Sequence, residues 1–193
     1  MVNSSALEAT VRSARHALGD ALLPRYARQP HLSLAYRGLC NVGDGQTHEF
    51  GVQHLQADLS RLQALRQPPF TVQLHGVGSF TTVPYLAVGQ GSEVLTQVHE
   101  ALQPWPPVPA WNYVPHVTLG HYARTMPLLE VIERLQTVGV GMAAVEVPVH
   151  ELALVRYATH DIAGPLVVEG VWNLERQSYE PQEDALLTPA KAA

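Results

Sequence analysis

Apolar residues recur along the chain with two periods. Leu7, Val11, Ala14 and Leu18 share one face of a helix that opens at a Ser5-Ala6-Leu7-Glu8 capping box and stops at Gly19. Val52, Leu55, Leu59, Leu62 and Leu65 mark a second helix, closed by Pro68-Pro69. Two more are read over residues 92–103, with Val94, Leu95, Val98 and Leu102, and over residues 126–137. Between the helices the period drops to two. Residues 31–37 and 70–80 alternate apolar with polar, and residues 84–89, 116–122, 145–157 and 166–174 read as further extended stretches. A turn-rich loop over residues 41–46 and a proline-rich connection over residues 104–109 punctuate the chain. Residues 176–193 are polar, lack any period and read as a mobile tail.

The second half repeats the scheme of the first, apart from the extra strand at residues 84–89 with which it begins. This order predicts an α+β protein of two pseudo-symmetric lobes, each an antiparallel sheet with helices packed outside, around a central cleft. One bilobal domain is expected over residues 1–175, with lobe one at about 1–80 and lobe two at about 81–175.

Aligning the halves sets Pro30-His31-Leu32-Ser33-Leu34 against Pro115-His116-Val117-Thr118-Leu119. Both read Pro-His-apolar-hydroxyl-Leu, 85 positions apart. In an extended chain alternate residues share a face, so His31 pairs with Ser33 and His116 with Thr118, while Leu32, Leu34, Val117 and Leu119 turn to the core. A His-apolar-hydroxyl-apolar tetrapeptide arises by chance ~0.2 times in a chain of this composition, so one copy means little. Two copies at equivalent places in a repeat carry weight. Paired imidazoles facing one cleft can act as base and acid near neutral pH, and the two hydroxyls can donate to phosphate oxygens as charge builds.

Composition narrows the classes. The 193 residues are 46% hydrophobic and 15% charged, which is the balance of an ordinary globular protein. A formal net charge of −5 argues against coating long nucleic acid, though not against gripping one RNA end. Eleven of the twelve basic residues are Arg and the only lysine is Lys191, which removes P-loop, Schiff-base and lysine-adenylating chemistry. Cys40 is the single cysteine, so neither a disulfide framework nor a multi-cysteine zinc site is expected. The eight histidines outside the motifs lack ligand spacing, and His99-Glu100 and His150-Glu151 each lack the second His of a zinc helix. No metal or cofactor is expected. Charged residues interrupt the first twenty positions and no apolar run reaches the ~18 residues of a membrane span, so a cytoplasmic protein without membrane contact or an obligate protein partner is expected.

The paired motifs resemble those of the two-histidine (2H) phosphoesterases, which include LigT-like 2′-5′ RNA ligases and RNA 2′,3′-cyclic phosphodiesterases. The similarity extends to FTVQLHGVGSF at residues 70–80, the following strand and helix up to Leu102, YVPHVTLG at 113–120, and the closing LALVRY and GPLVVEGVWNL. It covers roughly residues 28–175. The resemblance implies a LigT-like fold and metal-independent opening of a 2′,3′-cyclic phosphate, at an RNA end or on a small cyclic nucleotide. It implies His31 as the acid on the leaving 3′-oxygen, His116 as the base on water, and a 2′-phosphate product. Reverse 2′-5′ ligation would use the same groups. Hydrolysis of 2′-5′ linked oligonucleotides or of an ADP-ribose cyclic phosphate stays open, and the alternative class is a non-catalytic binding module for phosphate termini.

Further substrate contacts are carried over position by position. Tyr36 stands where the family has an aromatic five residues after the first histidine. His121 stands where it has an arginine five after the second, a departure for which Arg124 or Arg37 could substitute. Tyr113 and Trp111, just before the second motif, are candidates to line the cleft mouth. The strand that usually precedes the first helix is not evident in Met1 to Ser4, which implies a shorter first sheet or a start further upstream.

Overall fold

The alternating stretches sort into two antiparallel sheets in the computed structural model, which describes residues 4–40, 49–103 and 112–189. The elements follow in the order α1 (Ser5–Leu18), α2 (Val52–Leu65), β1 (Phe70–Ser79), β2 (Pro84–Val88), α3 (Ser92–Ala101), β3 (His116–Thr118), α4 (Leu128–Gly139), β4 (Val145–Val149), β5 (Glu151–Arg156), β6 (Val167–Asn173) and β7 (Ser178–Pro181). The first sheet has the order β3-β2-β1-β4 and the second β5-β6-β7. The expected α+β, LigT-like architecture is therefore present. The halves of the chain share the first sheet, because β1 and β2 form a hairpin across position 80 and β4 joins from the far end.

Helix α1 is capped one residue earlier than the sequence reading, by Ser4, whose hydroxyl accepts from the Leu7 amide at 3.3 Å. Its buried stripe of Leu7, Val11, Ala14 and Leu18 packs with Val138 of α4 on Val72, Leu74, Leu86, Val117, Val145 and Val147 of the first sheet. Helices α2 and α3 bring Leu62, Val98 and Leu102 onto Trp172 and Leu174 of the second sheet. Burying such side chains favours folding by about 1.5–3 kcal/mol each, so these stripes decide which helix faces which sheet. Among the described residues no helix is long and apolar enough to cross a membrane.

Four sequence expectations need correction. Residues 31–37 are extended but not a strand: only Leu32 makes a bridge, to Val117. Side chains take the place of a ladder there, with the Tyr113 hydroxyl donating to the Ser33 carbonyl at 2.9 Å and His99 Nδ1 to the Leu34 carbonyl at 2.6 Å. The strand expected over 116–122 stops at Thr118, since the next carbonyl, that of Leu119, is taken by Arg15 Nε at 2.6 Å. The stretch 145–157 is two strands, β4 and β5, one in each sheet. The tail expected from residue 176 contains β7, which pairs with β6 after Asn173 Oδ1 has accepted the amides of Glu175 and Arg176 in a tight turn. Its composition misleads because an edge strand can be polar. The loop at 41–46, the connection at 104–109, Trp111 and Met1–Asn3, on which the reading of a lost leading strand rests, lie outside the described residues.

Candidate active site

The bridge between Leu32 and Val117 sets the geometry of the two motifs. It is antiparallel, so His31 stands beside Thr118 and Ser33 beside His116. Leu32 and Val117 point into the core of the first sheet. The four polar residues consequently share the opposite face, with the two histidines on one diagonal and the two hydroxyls on the other. The motifs are neighbours on one surface rather than partners on separate walls.

Both imidazoles are anchored in the same way. His31 Nδ1 donates to the Gln29 carbonyl at 2.8 Å, and His116 Nδ1 donates to the Val114 carbonyl at 2.6 Å. A carbonyl can only accept, so the Nδ1 proton is fixed and Nε2 is the atom left to exchange a proton. The chain achieves this with Gln29-Pro30-His31 and Val114-Pro115-His116. Proline fixes its own φ and holds the preceding residue extended, which keeps the carbonyl two positions back within reach of the ring. The environments differ: burial pushes the His31 pKa below the ordinary imidazole value, and the nearby Arg28 charge adds to this against the bond to Gln29.

The sheet register extends this face sideways. Tyr85 is the partner of Thr118, Ala87 of His116 and Gly78 of Tyr85. A β-carbon on Gly78 would meet the Tyr85 ring at 2.5 Å, so the absence of a side chain there is what lets the ring lie across β1. Phe80 stacks on Tyr85 with centroids 4.5 Å apart, and the rings lie 5.0 Å and 5.3 Å from His116. The motifs alone do not point to Phe80, Tyr85 or Gly78; their sequence signal is the spacing of a glycine and two aromatics around one hairpin turn.

The remaining candidates divide. Tyr113 lies at the motifs, with its hydroxyl on the Ser33 backbone and its ring stacked on His99 at 4.0 Å; burial pushes its pKa up to about 12. It braces the first motif. Tyr36 is 73% exposed, and Tyr157 on the loop after β5 is near enough to push its pKa up. His121 is half-buried against Tyr26, with ring centroids 5.7 Å apart, and burial lowers its pKa. The two arginines suggested as its substitutes are not available as free cations. Arg37 binds Asp58 of α2 at 2.6 Å, and Arg124 binds Glu130 at 2.6 Å. For Arg37 the partner is 21 positions away on α2, a pairing that the chain alone could not supply. Among the described residues no three His, Cys, Asp or Glu side chains gather as a metal-binding group.

A family model described as the 2′-5′ RNA ligase superfamily matches residues 4–161. The fold is similar to a crystal structure of a phosphoesterase, with 19% identity over 90% of this chain and 95% of that one and a TM-score of 0.52. It is similar to E. coli LigT complexed with ATP, with 20% identity over 90% and 94% of the two chains and a TM-score of 0.51. At these identities the likeness concerns the fold alone. No curated protein matches the chain.

Proposed function

The chain belongs to the 2′-5′ RNA ligase superfamily, a phosphoesterase- and ligase-type grouping, and within it we propose a metal-independent phosphodiesterase that opens 2′,3′-cyclic phosphates at RNA ends or on small nucleotides. The observation that carries this reading is the pair of imidazoles pinned through Nδ1 to the carbonyls of Gln29 and Val114, beside Ser33 and Thr118 on one face. Binding a phosphate needs no such pairing of two titrating groups. General acid and base catalysis does.

In the proposed reaction His116 Nε2 takes a proton from water as its oxygen attacks phosphorus. His31 Nε2 gives a proton to the departing 3′-oxygen, which leaves a 2′-phosphate and a 3′-hydroxyl. Ser33 and Thr118 hydroxyls donate to the two non-bridging oxygens, where negative charge grows in the five-coordinate state. Burial disfavours the protonated form of His31 in the free protein. A phosphodiester anion between the two rings restores it, because a nearby negative charge favours an imidazolium. With a ribose 5′-hydroxyl attacking in place of water and the 3′-oxygen leaving as before, the same groups would form a 2′-5′ linkage, and the reverse of that step, with the two histidines exchanging roles, would cleave one.

The test is incubation with a short RNA ending in a 2′,3′-cyclic phosphate, in EDTA, with identification of the product isomer. Wild type should give the 2′-phosphate alone, and His31→Ala and His116→Ala should each lose ~10²–10⁴-fold in kcat. A 3′-phosphate product would reverse the two roles. Binding without turnover would favour a recognition module, and turnover that survives both substitutions would place the chemistry elsewhere.

A further inference from the structure

The backbones that carry the site lie side by side across one face of the first sheet. Val117 of β3 pairs with Leu32 on one side and with Leu86 of β2 on the other. Crossing the face from the first motif, one therefore meets His31 and Ser33, then His116 and Thr118. Next come Ala87 and Tyr85, their partners on β2, and last Gly78 of β1, the partner of Tyr85. The ground beyond His116, away from His31, is thus floored by the small Ala87 and walled by Tyr85 and Phe80.

Phe80 is 39% exposed, so it gives up part of the free energy that a buried phenylalanine contributes to the core. It is nevertheless fixed at both ends of its backbone. Its amide donates to the Val83 carbonyl at 2.9 Å, and its carbonyl accepts from the Ser79 hydroxyl at 2.6 Å. Ser79 is held in turn by the Tyr122 hydroxyl at 2.8 Å. The Phe80 ring stacks on Tyr85 with centroids 4.5 Å apart and crosses the His116 ring at 77°, 5.0 Å away. An exposed aromatic ring set in place beside a reacting group loses little freedom when a flat ligand lies on it.

We propose that Phe80, backed by Tyr85, is the stacking platform for a nucleobase on the His116 side of the phosphate. The inference rests on the phosphodiesterase reading above and narrows its substrate class. Attacking and departing oxygens lie on opposite sides of phosphorus, so a 3′-oxygen at His31 places the other oxygen at His116, toward Ala87 and Phe80. Water carries nothing that could reach the ring. A nucleoside joined through its 5′-oxygen carries a base there, and every base has a face that can stack. The substrate is therefore an RNA with a 2′-5′ linkage, whose second nucleoside leaves with its base on Phe80. In that step the 3′-hydroxyl gives its proton to His31 Nε2 as its oxygen bonds to phosphorus. The bond from phosphorus to the 5′-oxygen breaks, and His116 Nε2 protonates that oxygen. A cyclic phosphate end and a free 5′-hydroxyl result, and the water step then returns both histidines to their starting forms.

Calorimetric titration of unreactive ligands tests the platform without turnover. 3′-Deoxyadenylyl-(2′-5′)-adenosine, which lacks the attacking hydroxyl, is compared with the same ligand made without the second base, using wild type, Phe80→Ala and Phe80→Tyr. Wild type should bind the two-base ligand about tenfold more tightly, the scale of one base on one aromatic ring. Phe80→Ala should bring that ratio close to one, and Phe80→Tyr should keep it. A ring that merely packs on His116 would change both affinities alike and leave the ratio as it was. A wild-type ratio near one overturns the proposal, as does a ratio kept in Phe80→Ala or lost in Phe80→Tyr. If thermal melting shows that Phe80→Ala does not fold, Phe80→Leu takes its place under the same criterion. Hydrolysis of a 2′,3′-cyclic phosphate by wild type is followed in parallel. Absent turnover with the ratio preserved would remove the phosphodiesterase reading and leave the platform standing, whereas turnover with a ratio near one would remove the platform alone.

Discussion

Each candidate histidine has one ring nitrogen committed to the backbone, so its chemistry reduces to the protonation of Nε2. For His31 the direction of the shift gives two separate expectations. With His31 as the acid, kcat/KM falls as pH rises through its lowered pKa, so the alkaline limb lies below the ordinary imidazole value of ~6.5. Under saturation the bound phosphodiester raises that pKa, and the alkaline limb of kcat moves upward. Profiles of kcat/KM and kcat with a cyclic-phosphate RNA check this, and an alkaline limb that is identical in both would reject it. Stability shows the other side of the same shift. His31 and His121 both titrate lower in the folded state, mainly through burial. Above about pH 6.5 both are neutral whether folded or unfolded and cost nothing. As pH falls below that value the unfolded chain takes up protons that the folded one resists, so stability drops until the lowered pKa values are passed. The urea midpoint should therefore fall between pH 7 and pH 5, and by less in His31→Gln. At this scale the four motif residues were legible because their spacing is local. The partner of Arg37 was not: Asp58 reaches it only through the packing of α2.

Element geometry explains why two short segments suffice to hold the site. Residues 31–37 make no continuous ladder, yet Tyr113 and His99 hold the carbonyls of Ser33 and Leu34, and Gln29 grips both the amide and the carbonyl of Leu166. The first motif is thus fixed by side chains from neighbouring elements. Beside it, the β1–β2 hairpin supplies the aromatic wall, and Gly78 is the position on which that wall depends. In Gly78→Ala the new methyl would overlap the Tyr85 ring, which could relieve the clash only by moving among Phe80, Thr118 and His116. Overpacking of this kind costs about 1–3 kcal/mol. Displacing a neighbour of a reacting group by an ångström costs up to ~10²-fold in rate. We expect kcat to fall ~10–100-fold in a protein that still folds, measured by turnover and thermal melting together; activity within twofold of wild type would refute the role of the wall. The helices were legible from their apolar stripes, which packing then used. Residues 31–37 alternate without forming a strand, and β3 stops at Thr118, because alternation reports which face is buried and says nothing about whether a neighbouring backbone is close enough to pair.

At the scale of the molecule, the second sheet stands behind the first motif rather than in a separate half. Its β5–β6 loop is clamped to the segment that leads into His31, through Ala27 to Ala163, Arg28 to Gly164 and Gln29 to Leu166. The C-terminal residues complete that sheet. β7 pairs with β6 from Gly170 to Asn173, and the buried Glu169 receives Arg156 on one oxygen and the Leu186 amide on the other. Leu187, 3% exposed, closes a small core with Phe50 and Leu55 of the segment entering α2. A polar stretch that reads from sequence as a tail is therefore the strap that holds α2 to the second sheet. Leu187→Ala should cost about 2–5 kcal/mol, the range for emptying a leucine site. For a chain of this size each kcal/mol lowers Tm by ~2–4 °C, so a fall of about 4–20 °C is expected. Truncation after residue 175 should cost more, because it also removes the β7 ladder and leaves Glu169 without its amide donor. Thermal melting of the two variants beside wild type tests this. A truncated chain that melts with wild type would mean that residues 176–189 contribute nothing to the fold, and that Glu169, Leu55 and Phe50 are held by other contacts.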